Sequence, residues 1–169
     1  MLKPLNQVTE PDERYAIIMA PTVDGGFRPI QLLDHYADIA AVDVGPTAPE
    51  EVGRMFERAR HAYLYSWFEY ELSPLAEQQA FATLEHALRL RLGLKKTLGP
   101  LVEKAVAEGI IPDDLFTMPL GGGPIGTAKA LSMMRNNWAH GSTNLSGPAM
   151  ALGTLKLCAD LIVLLFPTG

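Results

Sequence analysis

The stretch Leu131-Ser132-Met133-Met134-Arg135-Asn136-Asn137-Trp138-Ala139-His140-Gly141 gathers a guanidinium, two amides, an indole and an imidazole at the end of one amphipathic pattern. That is an odd set for an ordinary helix end. Arg135 carries a permanent charge on a planar fork of donors suited to phosphate oxygens, and His140 changes protonation near neutral pH. Together they are the pieces for binding a phosphate and moving a proton beside it. Five residues apart on an unbroken helix, the two side chains diverge by about 140° and lie about 7.5 Å apart along the axis. They converge only where the helix loosens near Ala139, as Gly141 permits, or on a cleft completed by another surface.

The surrounding chain reads as helices. Pro49 opens the first strong pattern, with Glu50 and Glu51 at its positive end. Val52, Met55, Phe56, Ala59, Ala62, Tyr63, Ser66, Trp67 and Tyr70 then form one face. Ser73-Pro74 breaks that pattern, with Ser73 as the N-cap of a second helix that passes Phe81, Leu84, Leu88 and Leu92 and stops near Gly93. Two long helices joined by a tight break predict an antiparallel pair. A shorter helix over 101–108 follows, then a loop over 118–124, then the motif helix with Ile125, Ala128, Leu131 and Met134 towards the core. An apolar helix over 149–166 closes the chain.

Ahead of Pro49 the signals are weaker. Residues 1–13 read as a poorly ordered lead-in, 15–20 as a short strand and turn, and 29–42 as a helix with apolar positions Ile30, Leu33, Tyr36, Ala37, Ala40 and Ala41. The chain therefore divides into an N-terminal extension over 1–48 and one helical domain over 49–169.

With 169 residues, 48% of them hydrophobic, the chain buries one sizeable core. Its net charge of −5 argues against holding long nucleic acid by bulk electrostatics, so any such contact is local. Between Asp114 and Asp160 there is no acidic residue, while Lys129, Arg135 and Lys156 add three positive charges. The motif region is thus receptive to phosphate within an acidic whole. A lone cysteine, Cys158, in an apolar pattern builds neither a disulfide framework nor a thiolate metal cluster within one chain, and fits a reducing cytoplasm. The start lacks the apolar run of a signal peptide. Lys156, Asp160 and Gly153 make the last helix a buried element rather than a membrane span.

Arg135-Asn136-Asn137-Trp138-Ala139-His140, between the penultimate and last helices of such a series, resembles the HEPN superfamily, an all-α fold carrying an Arg-x4–6-His motif with a polar residue after the arginine. The resemblance covers about residues 50–166 and implies an all-α, HEPN-like helical bundle of about four to five helices with a small N-terminal extension. It further implies a metal-independent endoribonuclease acting as a two-fold dimer, in toxin, phage-defence or stress settings. Cleavage by the ribose 2′-hydroxyl needs a base, an acid for the leaving oxygen and cationic stabilisation of the transition state. By this resemblance His140 is the general acid/base, Arg135 the phosphate and transition-state contact, and Asn136 the orienting residue. One chain supplies one motif histidine and a symmetric dimer two, so the active cleft is expected at a homodimer interface. RNA or a nucleotide, and an antitoxin or other protein, are the expected partners, with no membrane, metal or cofactor. The alternative is a non-catalytic HEPN-like module that binds a nucleotide or protein through the same cleft. Some ribonuclease members carry a modifiable tyrosine two residues after the motif histidine; Ser142 stands there in this chain.

Other motifs have plainer readings. Gly121-Gly122-Gly123-Pro124-Ile125-Gly126 matches G-x-G-x-x-G, but no convincing strand precedes it, no acid follows about 20 positions on, and Thr127 occupies the lysine place of a Walker A loop. A loop feeding the motif helix is the better reading. Trp138 is a core or interface anchor. His61 and His86 lack the Glu-x-x-His pairing of bundle metal sites and read as solvated faces or core hydrogen bonds, and His35 has no evident partner.

Overall fold

Pro49 is the N-cap of α2 (Glu50–Tyr65), and two acids occupy its first turn, where they meet the partial positive charge of free N–H groups. Its buried stripe is Val52, Phe56, Ala59 and Tyr63, at the spacing a helix requires. α3 (Leu72–Leu92) ends at Gly93, whose φ of 66° is the left-handed conformation that closes many helices. The two run antiparallel: Gln79 Nε2 donates to the Met55 carbonyl at 3.3 Å, while His86 lies beside Glu51, one turn earlier in α2.

In this computed structural model residues 2–114, 118–120, 123–139 and 147–168 are described, the side chains of 118–125 and 137–139 excepted. The described residues form an all-α bundle. α1 (Leu32–Ala40), α4 (Leu98–Ala107), α5 (Thr127–Ala139) and α6 (Pro148–Leu165) join α2 and α3. Strands β1 (Met19–Pro21) and β2 (Phe27–Pro29) form an antiparallel hairpin with Ala20 opposite Arg28. A second hairpin pairs β3 (Met118–Leu120) with β4 (Gly123–Ile125), Pro119 opposite Pro124. The core is continuous through Phe56, Leu84, Leu88, Leu101, Leu131, Leu155 and Ile162. Each such side chain, fully shielded, stabilises the fold by about 1.5–3 kcal/mol. α6 is apolar and long enough to cross a membrane, yet its Leu155, Leu161 and Ile162 are wholly covered by the bundle. A carboxylate is buried between two of these helices: Thr154 on α6 donates to Glu77 on α3 at 2.9 Å.

The N-terminal extension departs from its expected reading. Residues 1–13 are not all loose, because Asp12 is buried against the α2–α3 turn. Its N–H donates to the Trp67 carbonyl at 2.8 Å, and its carboxylate accepts from Tyr70 N and from Arg14 Nε at 2.8 Å. Tyr15, Trp67 and Tyr70 form a small second core there. α1 buries the opposite face from the one predicted: Leu33 and Tyr36 are exposed, while His35 and Ile39 are covered. His35 sets that orientation by stacking on Tyr63, ring centroids 4.5 Å apart, and donating from Nε2 to the Tyr63 carbonyl at 2.8 Å. Ser73 lies inside α3 rather than capping it, since the helix begins at Leu72.

Candidate functional site

α5 positions Arg135, and the start of that helix is pinned. Thr127 donates from Oγ1 and from N to the Asp113 carbonyl, at 2.8 and 2.9 Å. Gly126 just before it lets the exposed Asp113 carboxylate lie close, and a Cβ there would push that carboxylate aside. A strand does precede the glycine motif, contrary to the sequence reading. That strand, β3, pairs back with β4 inside the motif, so the arrangement is a hairpin leading to a helix and not a dinucleotide-binding β-α unit.

Eight residues after Thr127, Arg135 is half-buried at the junction of two depressions. One is a cleft of about 460 Å3 between α3 and α5, with Met55 and Phe81 as its apolar lining and Gln78, Glu85, His86 and Arg89 around Arg135. The other, of about 200 Å3, lies where the start of α4 meets Ser132, Arg135 and exposed Asn136. α4 approaches closely there because residue 99 is glycine: a Cβ would lie 2.9 Å from Ser132 Oγ.

The charges around Arg135 are unevenly committed. Glu85 accepts from Leu98 N at 2.9 Å, which satisfies one of the open N–H groups at the α4 start, and also from Arg89 at 2.5 Å. Arg89 in turn donates from Nε to the Lys96 carbonyl at 2.9 Å and so ties the end of α3 to the following loop. Among the described residues Arg135 makes no ion pair or hydrogen bond. A planar, permanently charged donor set facing two open depressions is suited to a phosphate.

Of the residues predicted from sequence, Arg135 and Asn136 therefore line the smaller depression together, and Arg135 also lines the cleft. His140 lies outside the described residues, as do Ser142 and the side chains of Asn137 and Trp138. The residue that sequence reasoning passed over is His86. It was expected on a solvated or core-bonded face, and instead it lines the same cleft as Arg135. Its Nε2 is shielded from solvent and stands 3.3 Å from Glu51 Oε2, yet it makes no aligned hydrogen bond. His61 is solvated beside Glu57, as expected. Among the described residues no three His, Cys, Asp or Glu side chains converge as metal ligands. Cys158 is buried and its thiol is pushed well above the usual range by desolvation, so it is inert.

No protein-family model, curated protein or solved structure matches this chain.

Proposed function

We propose that the protein is a metal-independent endoribonuclease of HEPN type, acting at a cleft shared by two protomers in a toxin or phage-defence setting. The observation that carries the reading is Arg135: a guanidinium at an open cleft, on the penultimate helix, with no acidic partner among the described residues. In the reaction its donors hold the non-bridging oxygens of the scissile phosphate and stabilise the charge that builds there. His140 removes the proton of the ribose 2′-hydroxyl, the oxygen attacks phosphorus, and the 5′-oxygen leaves with a proton from the acid, the second motif histidine of the dimer. The product is a 2′,3′-cyclic phosphate. Asn136, exposed at the edge of the smaller depression, orients phosphate or imidazole.

The test is cleavage of a mixed RNA pool in excess EDTA by wild type, Arg135→Ala and His140→Ala, with the product ends analysed. Wild type alone should cut, leaving cyclic phosphate ends. Cleavage by His140→Ala at the wild-type rate would sink the assignment. Silence of the wild type, with nucleotide binding that depends on Arg135, would replace it by a binding module.

A further inference from the structure

The cleft does not end at Arg135 and His86. A third depression, of about 610 Å3, adjoins it at the end of α3 and is lined by Lys95 and again by His86 and Arg89. Because His86 and Arg89 belong to both hollows, and Arg135 to the cleft and the α4 hollow, the three form one continuous groove. Its order is Lys95, then Arg89 with His86, then Arg135 and Asn136.

The charge along this groove is segregated from the rest of the molecule. Residues 86–102 hold four cations and no acid, and residues 115–159 hold three cations and no acid. The remaining residues carry seven cations against nineteen acids, a balance of −12 in a chain whose total is −5. Arg89 and Lys95 of the first segment and Arg135 of the second come together where α3, α4 and α5 meet, whereas Lys156 lies on another side beside Asp34 and Asp38. The acids that do reach the groove are accounted for: Glu85 is held by Arg89 and Leu98 N, and Glu51 stands beside His86. A local positive track on an acidic protein attracts a polyanion to that track alone.

We propose that this groove is a binding track for single-stranded RNA, with Lys95 holding a backbone phosphate beyond the one at Arg135, and with His86 and Arg89 lining the track between them. The inference deepens the ribonuclease reading and rests on it for the choice of RNA. Single strands are favoured over duplex because half-buried Met55 in the cleft and exposed Leu90 in the adjoining hollow give apolar surface against which unpaired bases can pack. His86 stands beside Glu51 of α2 and lines the cleft together with Glu85, Arg89 and Arg135.

The experiment is fluorescence anisotropy with a single-stranded RNA that 2′-O-methylation makes uncleavable, over a salt series. Wild type should bind with a steep salt dependence, and Lys95→Ala should weaken binding and lower the slope of log K against log salt by about 0.7, the single-strand value for one phosphate contact. Lys95→Glu should weaken it further, while Lys3→Ala, in the N-terminal extension, should match wild type. Lys95 is exposed, so its variants keep the fold, which circular dichroism checks. Unchanged affinity and slope in both Lys95 variants, or no binding by wild type, would overturn the track. The two ideas fail separately: a wild type that binds methylated RNA through Lys95 but never cuts unmodified RNA defeats the nuclease reading and leaves the track standing.

Discussion

A half-exposed guanidinium with no partner among the described residues contributes little to folding, so Arg135→Ala should separate activity from stability. Cleavage is expected to fall by about 100-fold or more, while the urea midpoint moves by no more than about 0.5 kcal/mol equivalent. Arg135→Lys should not restore the rate, since an ammonium lacks the planar fork that grips two phosphate oxygens. His35 is the opposite case. It is fully covered, and burial lowers its pKa, with bonding to the Tyr63 and Leu64 backbone and the nearby Asp38 charge opposing that shift. The unfolded chain therefore takes up a proton below about pH 6.5 that the native state resists. Stability should be complete above that pH and fall as the pH drops from 7 towards 5, then level off below the native value. His35→Phe should abolish this slope in urea titrations while starting from a lower stability, because the Tyr63 carbonyl loses one of its donors and keeps only those from Ser66. Asp12 and Asp34, both held below the usual carboxylate range first by hydrogen bonds from Arg14 and Arg28, contribute stability above about pH 4, which is lost only as the pH falls further. The two acid phases are thus separable.

Among the elements, the junction of α3 with α4 is the one that shapes the cleft, and Glu85 holds it. Glu85→Ala removes the acceptor for Leu98 N and frees Arg89, and should cost about 1–2 kcal/mol in urea unfolding. Glu85→Gln, which keeps an oxygen for Leu98 N, should cost less. This junction was hardly legible in the sequence, because it joins residues 13 positions apart through a backbone N–H. What was legible is whatever repeats: the Val52, Phe56, Ala59, Tyr63 stripe and the stop at Gly93 stand where periodicity and capping put them. α1 was turned the wrong way because Leu33 and Tyr36 satisfy a helical period, whereas the burial that won is a ring stack between His35 and Tyr63 that no local pattern encodes. Asp12 was read as loose for the same reason: its partners, Trp67 and Tyr70, lie more than 50 residues away. Half of the candidate site was visible, in Arg135 and Asn136. His86 was hidden by its place on a polar-looking face of α3, although the acid-free run that begins there is a signal readable in the sequence alone.

At the scale of the whole molecule, the question is how many chains make one active cleft. The groove through His86, Arg89 and Arg135 is built within a single chain. The ribonuclease reading, by contrast, requires the motif histidine of a second protomer, and a two-fold dimer is the symmetric way to supply it. Complementation separates these arrangements. Arg135→Ala and His140→Ala should each be inactive alone. If a site needs only one motif histidine and takes it from the protomer opposite its arginine, a mixed dimer has one site with both lesions and one site with neither. Denaturing and refolding equal amounts together should then return about one quarter of wild-type activity, since about half of the dimers are mixed and each holds one intact site. Full inactivity of the mixture, with dimers confirmed by sedimentation, would mean either that each site needs both motif histidines, as in the mechanism above, or that it draws its arginine and histidine from one chain.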